Sequence, residues 1–164
     1  MSPLFANRPA VAEQVLIRHA RAGSRSKWQD DDRLRPLTKK GRREADALVK
    51  KLEDIPLERV MSSPYVRCLQ TVEPLSRARG LPPEQTEALA EGAGLDAFRR
   101  LLREHSGEPT AFCAHGDLMY DVSADLVEMG LVAASEAGYD KGAAWILEET
   151  DGRIVGARYL PVRA

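Results

Sequence analysis

The chain has 164 residues, of which 43% are hydrophobic and 30% charged, with a formal net charge of −1 at pH 7. That length accommodates one domain with a real hydrophobic core, and the composition excludes a disordered polymer. The near-neutral charge argues against a nucleic-acid surface, and no apolar stretch approaches the length of a membrane span. The basic residues are mostly arginine, 18 Arg against 6 Lys. A guanidinium fork binds oxyanions in two-pronged fashion, so this is a mild pointer to phosphate or carboxylate recognition.

Residues 1–13 lack a signal-peptide core and read as a loose lead-in, with a single domain over 14–164. Strand 1 is predicted near Gln14–Arg18, a short apolar run that ends in Arg18-His19. A long polar loop, Arg21 to Pro36, carries Gly23, Ser24 and the run Asp30–Asp32. It reads as a lid or, more simply, as a solvated loop. Thr38 is a plausible N-cap for a helix whose Ala45, Leu48, Val49 and Leu52 share a face, with Pro56 ending it.

Arg59–Ser62 reads as strand 2. Ser63-Pro64 is then a helix start, with Ser as cap and Pro at the first helical position. Cys68, Val72 and Leu75 fall on one side of that helix, with Arg67 beside them. Gly80-Leu81-Pro82-Pro83 is a break. Leu95, Phe98, Leu101 and Leu102 form a third helical stripe ending near His105, which is read as an exposed helix-end residue. Thr110–Ala114 is strand 3 and ends in His115-Gly116, after which Asp117 is placed to cap a fourth helix. Asp151-Gly152 between Ala144–Glu148 and Arg153–Leu160 signals a hairpin. The predicted fold is α/β: a mostly parallel central sheet with helices on both faces and a C-terminal β-hairpin.

Cys68 and Cys113 lie in segments read as buried. One such pair is a poor disulfide framework, so they are expected to be reduced core thiols of a cytoplasmic protein. The Cys-x5-Arg loop of cysteine-dependent phosphatases is missing, since Pro74 and Met119 stand six residues after the two cysteines. The three histidines and two cysteines lack zinc-ligand spacing, and no metal or other cofactor is expected.

Ligands of open α/β sheets bind beyond the carboxyl ends of the strands. Three strand ends here carry related chemistry: Arg18-His19, Ser62-Ser63 followed by Arg67, and His115. If those strands are neighbours, two imidazoles and two guanidiniums converge, with a helix N-terminus beside Ser63. Such a pocket suits a dianion, and phosphate is the obvious candidate.

Leu16-Ile17-Arg18-His19-Ala20, Ser62-Ser63-Pro64 with Arg67-Cys68 and Thr71, and Ala114-His115-Gly116 together resemble the histidine phosphatase superfamily, which includes the phosphoglycerate mutases. Arg-His-Ala, where most members have Arg-His-Gly, is similar to the SixA-type phosphohistidine phosphatase branch. The stretch from Arg18 to Thr71, with Leu37-Thr38 and Gly41, also resembles the phosphatase-like domain attached to some bacterial Nudix hydrolases. No Nudix box is present, so a stand-alone version is expected.

The resemblance implies a phosphoglycerate mutase-like fold and a metal-independent enzyme. His19 would match the nucleophile that is transiently phosphorylated before transfer to water. Arg18 and Arg67 would match the phosphate-binding arginines, and His115 the second histidine, a donor to a phosphoryl oxygen. Many members take the leaving-group proton from an acid between the second and third motifs, and Glu91 is the candidate here, with Glu87 behind it. The alternative for Glu91 is a solvated loop carboxylate. Ser24, Arg25, Ser63 and Gly116 are the substrate-binding candidates, the first two weighed equally against a plain surface role. Gly116 is expected to allow a tight strand-to-helix turn. The expected partner is a phosphorylated small molecule or a phosphohistidine protein, with no nucleic acid and no membrane. The rival reading is a non-catalytic phosphate- or nucleotide-binding regulatory module on the same fold.

Overall fold

The computed structural model describes residues 10–162. The first strand, β1 (Ala12–Arg18), is covered on both faces. Leu16 packs with Phe98, Leu102, Leu118 and Leu126 on one side. Val15 and Ile17 pack with Leu48, Leu52, Val72 and Leu75 on the other. Alternate side chains of a strand point to opposite faces, so burial of both explains why the run is continuously apolar.

The remaining elements are α1 (Lys39–Lys51), β2 (Arg59–Ser62), α2 (Val66–Arg79), β3 (Pro83–Gln85), α3 (Leu95–Glu104), β4 (Thr110–Ala114), α4 (Gly116–Glu128), β5 (Ala144–Thr150) and β6 (Arg153–Leu160). All six strands share one sheet in the order β3-β2-β4-β1-β5-β6. The first four are parallel, and β5 and β6 run antiparallel. Helices α1 and α2 supply the core on one face and α3 and α4 the core on the other. This is the α/β architecture, with its closing hairpin, that the hydrophobic periodicity predicts.

Asp151 (φ 53°) and Gly152 (φ 76°) both occupy the left-handed region. Two positive φ angles in succession make the turn whose twist matches the flanking strands. Among the described residues, no helix is long and apolar enough to cross a membrane.

Several boundaries differ from the sequence expectation. Ala12 and Glu13, assigned to the lead-in, are strand residues facing Glu149 and Glu148, and the first nine residues of the lead-in lie outside the described residues. Helix α1 stops at Lys51, where Leu52 caps it, well short of Pro56. The break after Gly80 contains an unforeseen strand, β3, with Pro83 in it. An edge strand tolerates the missing N–H, and β3 is an edge. Helix α2 begins at Val66, not at Pro64, with Tyr65 at its cap. Asp117 lies inside the first turn of α4 and does not cap it; the cap is His115. The long loop includes a short helical turn, Asp32–Leu34, and a bridge between Ala22 and Leu37. His105 is half-buried and not exposed: its carbonyl accepts from the Gln14 amide, and its ring lies 3.5 Å from Glu108.

At the sheet end remote from Arg18, Glu149 is fully buried. Its carboxylate accepts from Gln14 Nε2 (2.9 Å), Ser106 Oγ (2.5 Å), Gly107 N (3.0 Å) and Gly152 N (2.9 Å). Burial pushes this carboxyl up, but the donated hydrogen bonds outweigh it and hold it below the usual range. Its stabilising effect is therefore present above the ordinary carboxylate pKa of about 4.3 and disappears as pH falls through the lower folded-state value. Glu149→Ala strands four donors and should cost about 3 kcal/mol in urea unfolding at pH 7. A Glu149→Gln variant should also show a flatter acid limb of stability; an unchanged acid limb would contradict this role.

Candidate functional site

The sheet order decides the site. Strand β4 lies between β1 and β2, so the residues leaving all three strands emerge side by side. The His19 N–H donates to the Ala114 carbonyl (3.0 Å), and the Ser63 N–H to the Cys113 carbonyl (3.0 Å). These bonds extend the sheet one residue past its strands and fix the backbone beneath the site. The His19 and His115 rings are 5.4 Å apart, edge to face.

His19 Nδ1 lies 2.8 Å from the Ala20 carbonyl oxygen. A carbonyl only accepts, so Nδ1 carries the hydrogen. Burial lowers the His19 pKa to about 3, with His115, Arg67 and Arg18 adding to the effect against the Ala20 hydrogen bond. The ring is therefore neutral at pH 7, and its remaining nitrogen, Nε2, presents a lone pair. The Ala20 N–H donates to Thr71 Oγ1 (2.9 Å), which donates to the Arg67 carbonyl (2.6 Å). Thr71 thus ties the exit of β1 to the first turns of α2, coupling the position of His19 to that of Arg67.

His115 is buried, with Nε2 at 2.8 Å from Ser63 Oγ. Ser63 Oγ also accepts from the Tyr65 N–H (3.2 Å). Ser63 therefore orients the second imidazole rather than capping α2. The Tyr65 ring packs edge-on against His115 at 4.5 Å and lies under the Arg67 guanidinium at 4.8 Å.

Arg67 is 0% exposed. It donates to the Asp32 carbonyl (2.8 Å) and to Asp32 Oδ2 (3.0 Å), and Glu91 Oε2 stands 3.6 Å from it. Arg18 donates from Nη1 to the Tyr139 carbonyl (2.8 Å). Its guanidinium lies against Gly116, where a Cβ would fall 2.6 Å from Cζ and Nη2. Gly116 is thus needed for space, not for a left-handed turn: it opens α4 and lets the Arg18 guanidinium reach the helix N-terminus.

Three nitrogens of these residues, Arg18 Nε, Arg67 Nε and His115 Nδ1, are buried without a hydrogen-bond partner among the described residues. Buried polar nitrogens are seldom left unpaired, so these three keep capacity for a hydrogen-bonding ligand. Arg18, His19, Arg67 and His115 are thus brought together as the sequence predicts, with Ser63 and Gly116 acting through His115 and Arg18.

Glu91 stands at the rim. Its Oε1 accepts from Arg25 Nη2 (2.8 Å), and Arg25 Nε is 3.8 Å from Asp32. Ser24 is drawn elsewhere, its hydroxyl paired with Ser26 (2.9 Å). Glu87, the second candidate acid, forms an exposed two-pronged pair with Arg33 (2.8 and 3.1 Å).

Asp32 is the site residue that sequence reasoning missed, because three consecutive aspartates in a polar loop look solvated. Burial raises its pKa, but hydrogen bonds from Arg35 (2.9 Å) and Arg67 outweigh that and hold it below the usual carboxylate range. Asp32 therefore stays ionised and neutralises Arg67. Tyr65 left no sequence signal at all. Among the described residues, no group of three or more His, Cys, Asp or Glu side chains has the arrangement of a metal centre.

The strand ends thus hold a buried neutral imidazole beside a second imidazole and two guanidiniums. The family model described as histidine phosphatase superfamily (branch 1) matches residues 14–96, and the chain belongs to that family. An 8-oxo-(d)GTP phosphatase from Mycolicibacterium smegmatis is 36% identical over 162 residues, covering 95% of this chain and 50% of the relative. The chain thus spans about half the length of that curated relative. Among solved structures, a protein from Agrobacterium tumefaciens assigned as a SixA phosphohistidine phosphatase superposes with a TM-score of 0.73 at 21% identity, covering 89% of this chain and 96% of the other. The protein histidine phosphatase SixA complexed with tungstate gives 0.70 at 20% identity, covering 90% and 93%. At these identities the superpositions establish a shared fold.

The His19 geometry has a direct spectroscopic consequence. Its imidazole should stay neutral, with the hydrogen on Nδ1, from pH 8 down to about pH 5, as read by ring-nitrogen NMR. A midpoint near the ordinary value of about 6.5 would contradict the buried, hydrogen-bonded ring. The unfolded chain protonates His19 near 6.5 and the folded chain only near 3, so this residue lowers stability as pH falls between the two.

Proposed function

We propose that this protein is a metal-independent phosphatase in which His19 Nε2 accepts a phosphoryl group and then passes it to water. The observation that carries the reading is the His19 tautomer. Donation from Nδ1 to the Ala20 carbonyl leaves the other nitrogen of a neutral ring as a lone pair beside unpartnered cationic donors. In the first step Nε2 bonds to phosphorus as the phosphorus–oxygen bond to the leaving group breaks. In the second, water attacks phosphorus and the nitrogen–phosphorus bond breaks, regenerating His19 and releasing phosphate.

Arg18 and Arg67 stabilise charge on the equatorial oxygens, an effect worth ~10³ or more in rate for a well-aimed arginine. The N-terminus of α4 adds partial positive charge at the same place. His115 accepts the Ser63 hydroxyl hydrogen at Nε2 and donates from Nδ1 to a phosphoryl oxygen. An incoming phosphoryl group competes with Asp32 for Arg67, and Glu91 is the proton donor for the leaving group.

Protein phosphohistidine and small phosphomonoesters are the substrate classes we favour. The SixA-like fold and the tungstate held by one such relative, a tetrahedral dianion like phosphate, support that choice. A single six-stranded sheet that begins at Ala12 supports reading the described chain from there onward as one domain. The free, buried thiols of Cys68 and Cys113 fit a reducing, cytoplasmic setting.

The test is intact-protein mass after brief exposure to a reactive phosphoryl donor, kept away from acid, with wild type and His19→Ala side by side. A phosphoryl adduct on wild type alone, with aryl-phosphate turnover lost in the variant, is expected. No adduct and no turnover in wild type would instead indicate a phosphate-binding module. Glu91→Gln should reduce alkyl-phosphate hydrolysis by about 10²-fold and aryl-phosphate hydrolysis far less, since a phenolate leaves without a proton. Equal losses on both would remove Glu91 from the acid role.

A further inference from the structure

A second feature borders the site. A groove of about 790 Å³ runs between α1, the segment after β1 and the Asp140-Lys141 segment before β5. Its lining includes Arg18, Arg21, Lys40, Arg43, Lys51 and Lys141. Arg18 belongs to both places: it adjoins His19 in sequence, keeps an unpartnered buried Nε, and forms one wall of the groove. Arg21 follows two residues after His19, and Arg18 is the residue that the groove and the proposed phosphoryl site share.

Two carboxylates share this lining, Glu44 and Asp140. Glu44 is already engaged, accepting from the Arg21 N–H (3.1 Å) and standing 3.7 Å from Arg21 Nε. Asp140 faces Arg18. By contrast, Lys40, Arg43, Lys51 and Lys141 have no carboxylate within ion-pairing distance among the described residues. A chain of net charge −1 thus gathers an excess of cations at one concave place. The crowding registers on the groups themselves. Burial lowers the Lys141 pKa, and the like charges of Arg18, Arg21 and Arg35 lower it further against the pull of Glu44. Concave, like-charged walls focus potential and draw in counter-ions.

We propose that this groove is a second anion site, and that the preferred ligand carries two or more phosphate groups in a chain, one directed to His19 and the next held by the cations of α1. The proposal rests on the phosphatase reading for the placement of the first phosphate and extends the substrate class from phosphomonoesters to phosphoanhydrides. The Arg43 guanidinium supplies two-pronged contacts, Lys40 and Lys141 supply point charges, and Arg18 spans the two phosphates. The same chemistry serves a nucleoside polyphosphate or an inorganic oligophosphate.

The experiment is calorimetric titration of the full chain, in metal-free buffer, with inorganic tripolyphosphate and with orthophosphate. Wild type and Lys40→Glu/Arg43→Glu are compared. Tripolyphosphate is expected to bind wild type at least about tenfold more tightly than orthophosphate, with a steep salt dependence, and the double variant should bring the two affinities together. Orthophosphate affinity and aryl-phosphate kcat/KM should fall far less in the variant than tripolyphosphate affinity, and the retained turnover also shows that it is folded. Equal affinities in wild type, or tripolyphosphate binding indifferent to the double substitution, would overturn the groove assignment.

Titration with adenosine triphosphate separates the two sources. Tighter binding than tripolyphosphate means that a nucleoside is held as well, and equal binding means that the phosphate chain is recognised alone. Failure of the phosphatase reading is a different result: no adduct and no aryl-phosphate turnover, with tripolyphosphate still bound through the groove.

Discussion

The arrangement of the site depends on burying one guanidinium. Arg67 has no exposed surface, and removing a charge from water costs several kcal/mol unless partners compensate. The partners come from distant parts of the chain: Asp32 from the loop after β1, Glu91 from the segment before α3, and the ring face of Tyr65. Each contact places a piece of backbone. Asp32 pulls the long loop across the strand ends, and Arg25 on that loop then meets Glu91. A segment that reads as solvated becomes a wall of the pocket because a buried cation requires a counter-charge. In the free protein that counter-charge is supplied by Asp32.

The second constraint is on the imidazole of His19. A histidine with an ordinary pKa near 6.5 would be partly protonated at neutral pH and a poorer nucleophile. Burial and three neighbouring positive or potentially positive groups keep it neutral, while the Ala20 carbonyl selects the tautomer. Thr71 holds that carbonyl's residue from the other side through its N–H. The nitrogen left with a lone pair is thus set by backbone geometry at a strand exit, with no carboxylate partner of the kind that orients the histidine in a serine protease triad.

The same residues also explain why the surroundings are differentiated. Arg18 faces two environments, the α4 N-terminus across Gly116 and the cationic groove beside α1. The groove receives part of its charge from α1, a helix that otherwise serves the core through Ala45 and Leu48. Core packing and the cationic lining therefore use neighbouring flanks of a single helix, which is possible because its apolar stripe is narrow.

Hydrophobic periodicity in the sequence determined the strands and helices, the buried cysteines and the Asp-Gly hairpin, because these follow from local spacing and turn chemistry. The Arg18-His19, Arg67 and His115-Gly116 motifs determined the family and four residues of the site. Sequence did not determine that Ser63 would orient His115 instead of capping a helix, that Gly116 is required for the volume of Arg18, or that Asp32 would neutralise Arg67. It also gave no sign of β3, whose pairing with β2 is non-local, or of a cationic groove in a chain of net charge −1. Those features belong to the tertiary structure because each joins residues far apart in the chain. The free energy that selects such contacts, desolvation of a buried charge or the room beside a guanidinium, exists only once the sheet order has brought them together.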